Sequence, residues 1–130
     1  EGVDVNENGV RDDIERWIGL NFRNSEKTRM ALTQVYYPLQ NFMIHAREND
    51  RDAVYNDMDA LQRAGECLDY IRPDDAYKLI EELKARVVNT SDRAYAYLDS
   101  SRILGGGSFP SAPFSKWNMS CTFDPDALEN

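Results

Sequence analysis

Oxygen-bearing residues recur at regular intervals at the start of the chain, Asp4-Val5-Asn6-Glu7-Asn8-Gly9-Val10-Arg11-Asp12-Asp13-Ile14-Glu15. Counted from Asp4, they occupy positions 1, 3, 5, 9 and 12, and glycine stands at position 6. This spacing suits a hard cation. Calcium takes about six to eight oxygens from carboxylates, amides and main-chain carbonyls. Asp4, Asn6 and Asn8 alternate, so a tight coil turns all three toward one centre. Gly9 supplies the sharp turn that a residue with a Cβ resists. Val10 then offers its carbonyl, and Asp12 coordinates directly or through a water. Glu15 closes the shell from the first turn of a helix with both carboxylate oxygens.

The segment resembles the calcium loops of the EF-hand, dockerin and thrombospondin type 3 families, over Asp4 to Glu15 only. The resemblance implies Ca2+ as the cofactor, ligand roles for Asp4, Asn6, Asn8, Val10, Asp12 and Glu15, and the turn role for Gly9. The chain departs from those families in three respects. Arg11 stands at loop position 8, where paired EF-hands usually carry an aliphatic residue. Only three residues precede Asp4, too few for an entering helix, and there is no second copy of the loop. A metal-free reading is an acidic, turn-rich helix start. Asn8-Gly9 is a turn dipeptide, and Asp12, Asp13 and Glu15 favour the positive end of a helix dipole. That reading leaves the spaced oxygens at 4, 6 and 8 unexplained.

The elements that must position this loop are helical. Ile14, Trp17, Ile18 and Phe22 recur at helical spacing, so a short first helix runs from near Arg11 to about Phe22 and couples Glu15 to Trp17. A second runs from about Ser25 to Arg47 on the stripe Leu32, Val35, Tyr36, Leu39, Phe42, Met43 and Ala46. Pro38 removes one backbone donor within it, and the unbroken phase of the stripe predicts a kink rather than a stop. Glu48-Asn49-Asp50 is a turn. The third helix follows on Val54, Met58, Leu61, Gly65, Leu68 and Ile71, ending at Arg72-Pro73. A fourth runs from about Asp74 to Ser101, with Ala94, Tyr95 and Leu98 on its buried side and a loosening at Asn89-Thr90-Ser91. Beyond Leu104 the periodicity stops. Gly105-Gly106-Gly107-Ser108 is a linker, and the arm after it carries Phe109, Phe114, Trp117, Met119 and Phe123. The expected architecture is one all-α domain over residues 1–130. It comprises a calcium loop at 1–15, a four-helix bundle with one short helix at 11–101, and an irregular, non-helical arm at 102–130 folded back over the bundle.

Composition narrows the partners. With 15 basic and 23 acidic residues the net charge is −8, which disfavours nucleic acid and anionic membrane surfaces. No apolar run reaches the length of a membrane span. The chain opens at Glu1 without methionine or signal peptide, the appearance of a processed secreted protein and equally of a sequence trimmed at its start. Cys67 and Cys121 are an even pair in an acidic, calcium-suited chain, and a disulfide between them fits a secreted or periplasmic location. The one histidine, His45, and the absence of Cys-x-x-Cys argue against a zinc or di-iron site.

Calcium binding, with the ion mainly structural, is therefore the function expected. A second reading is a calcium-dependent interaction module that docks a protein partner through the aromatic arm. A third is a small enzyme with a pocket near Pro38 and His45. Cys67 paired with His45 as a nucleophile is incompatible with the disulfide. No catalytic residue is assigned.

Overall fold

The computed structural model describes residues 11–105 and 111–128. These form α1 (Asp12–Asn21), α2 (Glu26–Arg47), α3 (Arg51–Ile71), α4 (Ala76–Val87) and α5 (Ser91–Ile103), followed by 3-10 helices at Phe114–Ser120 and Pro125–Ala127. The all-α class holds among the described residues, which include no strand. The expected number of helices does not. The segment expected as a single fourth helix is two, and the arm expected to be non-helical carries both 3-10 helices.

Local chemistry sets most boundaries. Ser25 caps α2 by accepting from the Thr28 N–H, and Asp50 caps α3 by accepting from the Ala53 N–H. Between them the chain reverses at Asn49, whose φ of 53° lies in the left-handed region. Asn49 N–H donates to Ala46 O and Asp50 N–H to His45 O, the paired bonds of a Schellman closure. Asparagine tolerates this conformation better than most side chains. α2 continues through Pro38 over 22 residues. An interior proline costs roughly 3 kcal/mol. Val35, Tyr36, Leu39, Phe42 and Met43, all buried around it, each return about 1.5–3 kcal/mol on burial, so packing prevails.

The break between α4 and α5 has an equally local cause. Thr90 accepts from the Arg93 N–H as an N-cap, and the Asn89 side chain accepts from Arg93 Nη1 at 2.6 Å. A capped new start satisfies orphan N–H groups that a continuous helix would bond internally. The break also resets the phase. Tyr95 and Leu98, on the buried stripe of a continuous helix, are 73% and 64% exposed. Arg93, Ala96, Ser100 and Ile103 face inward instead.

The principal core joins Ile14, Trp17 and Ile18 of α1 to residues of α2, α3, α4 and Ala96 of α5. A smaller cluster of Phe42, Ala46, Val54 and Ile103 closes the end where α2, α3 and α5 meet. α1 thus contributes its apolar face to the main core while its first turn carries the acids of the proposed calcium loop.

Candidate functional site

Asp4, Asn6, Asn8, Gly9 and Val10 lie outside the described residues. Asp12 and Glu15 lie within them, and both fall in the first turn of α1 together with Asp13. Residues three apart on a helix share a face, so Asp12 and Glu15 are neighbours while Asp13 turns away from them. Asp13 is engaged by Arg11. The Arg11 Nε donates to Asp13 Oδ1 at 3.0 Å and its Nη2 to Oδ2 at 2.6 Å. This hydrogen-bonded cation holds the Asp13 carboxyl below the usual carboxylate range.

Arg11 does more than pair with Asp13. Only 4% of it is exposed, and its Nη1 and Nη2 also donate to the carbonyls of Val87 and Arg86, at 3.4 and 3.3 Å. Those carbonyls end α4, where unpaired acceptors and the helix dipole favour a cation. The entry to α1 is therefore fastened to the end of α4. Below it Trp17 is buried, with the Arg86 guanidinium 4.8 Å from its ring centroid. The residue at loop position 8 is thus a structural anchor, and its partners sit some 75 positions away in the chain.

A second constellation holds the arm. Cys67 and Cys121 form the disulfide, with Cα atoms 4.8 Å apart. Beside Cys67, Glu66 is 3% exposed and accepts from the Ala112 N–H at 2.8 Å and from Ser120 Oγ at 2.7 Å. Arg63 Nη1 lies 3.3 Å from the same carboxylate. On α2, the Gln34 amide grips both sides of the bridge. Its Nε2 donates to Ser120 O and its Oε1 accepts from the Thr122 N–H, each at 3.0 Å. Neither Glu66 nor Gln34 belongs to a motif in the sequence. The available signal was an acid next to Cys67 on the inward side of a helix, where an unpaired carboxylate is costly.

His45 and Asp57 meet across α2 and α3, with Nδ1 and Oδ2 2.5 Å apart. The carboxylate's hydrogen bond raises the histidine pKa, and burial raises that of Asp57 against the pull of His45. The cleft that includes Pro38, about 700 Å3, is lined by α2, α3 and the arm and does not include His45. With Cys67 in the disulfide there is no thiol for His45 to activate.

Among the described residues no cluster of three or more metal-ligating side chains gathers, and no helix is long and apolar enough to cross a membrane. No family model matches the chain, and neither a curated protein nor a solved structure matches it. Function is read from residue chemistry.

Proposed function

We propose that this chain is a calcium-binding helical domain of an oxidising compartment, secreted or periplasmic, in which the ion is mainly structural. Asp4, Asn6, Asn8, the Val10 carbonyl, Asp12 and Glu15 are the proposed ligands, with Gly9 at the turn. One observation carries the reading: the placing of Asp12 and Glu15 three positions apart in the first turn of α1. Asp12 and Glu15 share the helix face that loop positions 9 and 12 require, and Arg11 holds Asp13 on another. The bond from Glu15 N–H to Arg11 O makes that turn regular, so the terminal carboxylate ligand stands on a rigid element.

Calcium would neutralise Asp4, Asp12 and Glu15 and tie the N-terminal segment to a helix already docked on α2 and α4. Without the ion three close carboxylates repel. Binding should therefore raise stability by mass action on the folded state. The Cys67–Cys121 disulfide is compatible with an oxidising, calcium-rich location.

Calorimetric titration of chelator-stripped protein is expected to give one calcium site per chain, with a higher melting temperature in the loaded form. Glu15→Gln should weaken binding most, because it removes charge from the bidentate ligand. Absence of heat up to millimolar calcium, the weak end of the range for such loops, overturns the proposal. Binding unaltered in Glu15→Gln overturns the ligand assignment.

The exposure of Phe114 and Met119 on the first 3-10 helix favours the interaction-module reading as a second possibility. It requires calcium-dependent association in sedimentation velocity. A monomer in both calcium and chelator removes self-association from that reading.

A further inference from the structure

The cleft between α2, α3 and the arm has two chemical characters. Its apolar part includes Met30, Tyr37 and Phe123, and Met30 and Tyr37 are both exposed to solvent. Among the described residues its polar rim carries Arg29 and Arg63 and no carboxylate, in a chain whose acids outnumber its bases by 23 to 15. Arg63 faces the buried Glu66, which offsets its charge. Arg29 differs. Its Nη1 donates to the carbonyls of Phe22 and Arg23 at 2.8 and 2.7 Å, bonds that orient the guanidinium without neutralising it. An oriented arginine with no carboxylate partner among the described residues, beside an apolar surface, selects for an anion with an apolar body. The volume, about 700 Å3, lies within the range of small-ligand sites.

We propose that this cleft binds a small amphipathic monoanion, with its aromatic or aliphatic body on Met30, Tyr37 and Phe123 and its carboxylate or sulfonate head at Arg29. The site is separate from the described part of the proposed calcium loop, since none of Arg11, Asp12, Asp13, Ile14 and Glu15 lines it. The arm supplies one wall, and Cys121 holds that wall in place between Ser120 and Thr122.

The test uses oxidised, calcium-loaded protein and two fluorescent probes. 8-Anilinonaphthalene-1-sulfonate and N-phenyl-1-naphthylamine share one body and differ in the charged head. The sulfonate should bind at least about tenfold more tightly, the scale of a charge-assisted hydrogen bond. Arg29→Gln should abolish that preference, and Arg29→Lys should retain part of it. Ala60→Trp, at an exposed position of α3 on the cleft wall, should displace both probes while leaving the melting temperature near that of the parent. Equal affinity for the two probes overturns the anion preference. Unchanged binding in Ala60→Trp places the probes elsewhere and overturns the site. Should Arg29→Gln fail to fold, the probe pair and Ala60→Trp still decide the matter.

Discussion

His45 is the chain's one histidine, so its ring protons titrate without overlap in a proton spectrum. The Asp57 carboxylate holds its pKa above the ordinary 6.5, chiefly through their hydrogen bond. A histidine whose pKa is raised on folding adds stability that is complete below the unfolded value. That stability is lost as pH rises through the folded one. The titration midpoint should therefore lie above 6.5, and Asp57→Asn should move it back down. A midpoint at or below 6.5 in the parent would show that the pair does not form in solution. Glu66 makes a separate claim at the same scale. Glu66→Ala strips acceptors from the Ala112 N–H, Ser120 Oγ and the Arg63 guanidinium, and should cost about 3 kcal/mol in urea denaturation. Glu66→Gln keeps one carbonyl oxygen and should cost less. Equal stability of the parent and Glu66→Ala would contradict the latch.

At the scale of elements, glycine offers the cleanest measurement. Gly65 lies within α3, and among the described residues a Cβ added there would meet only Ile80 Cδ1 at 3.9 Å, ordinary van der Waals contact. Among the described residues no backbone approaches this position closely. Gly65→Ala should stabilise the protein by roughly 0.5–1 kcal/mol through helix propensity, read as a raised denaturation midpoint at unchanged slope. Loss of stability would reveal a constraint on that backbone. Helices were the most legible part of the sequence, because their signals are local. The starts at Ser25 and Asp50 and the end before Pro73 follow from caps and proline chemistry within a few residues. The split before α5 was less legible. Two local signals competed at Asn89–Ser91, and the apolar spacing through Ala94 and Leu98 favoured the wrong one. For the same reason Asp12 and Glu15 could be placed in a first helical turn from sequence. The role of Arg11 could not, because its partners Arg86 and Val87 become neighbours only after α4 docks. Gln34 and Glu66 were hidden likewise, their arm partners lying 46 to 88 positions away.

For the whole molecule, the arm is fixed near Cys121 by one covalent bond and the polar clamps of Glu66 and Gln34. Gln62 and Tyr70 of α3 donate to Ser111 and Asp126 on either side. The disulfide closes a loop across 54 positions, which in the chain-entropy model stabilises by about 4 kcal/mol. Cys67→Ala/Cys121→Ala should lose stability on that scale in urea denaturation. Because Glu66 and Gln34 persist in that variant, the arm should remain partly protected in hydrogen exchange at Ala112 and Thr122. Complete loss of protection there would mean that the polar clamps depend on the bond. The loop also has a mechanical consequence. Its closing residues enclose the rest of α3, all of α4 and α5, and much of the arm. Tension applied between the two ends of the oxidised chain passes from residue 67 to residue 121 through sulfur. The enclosed helices then add nothing to the extensible contour, whereas reduction releases roughly 190 Å of hidden length.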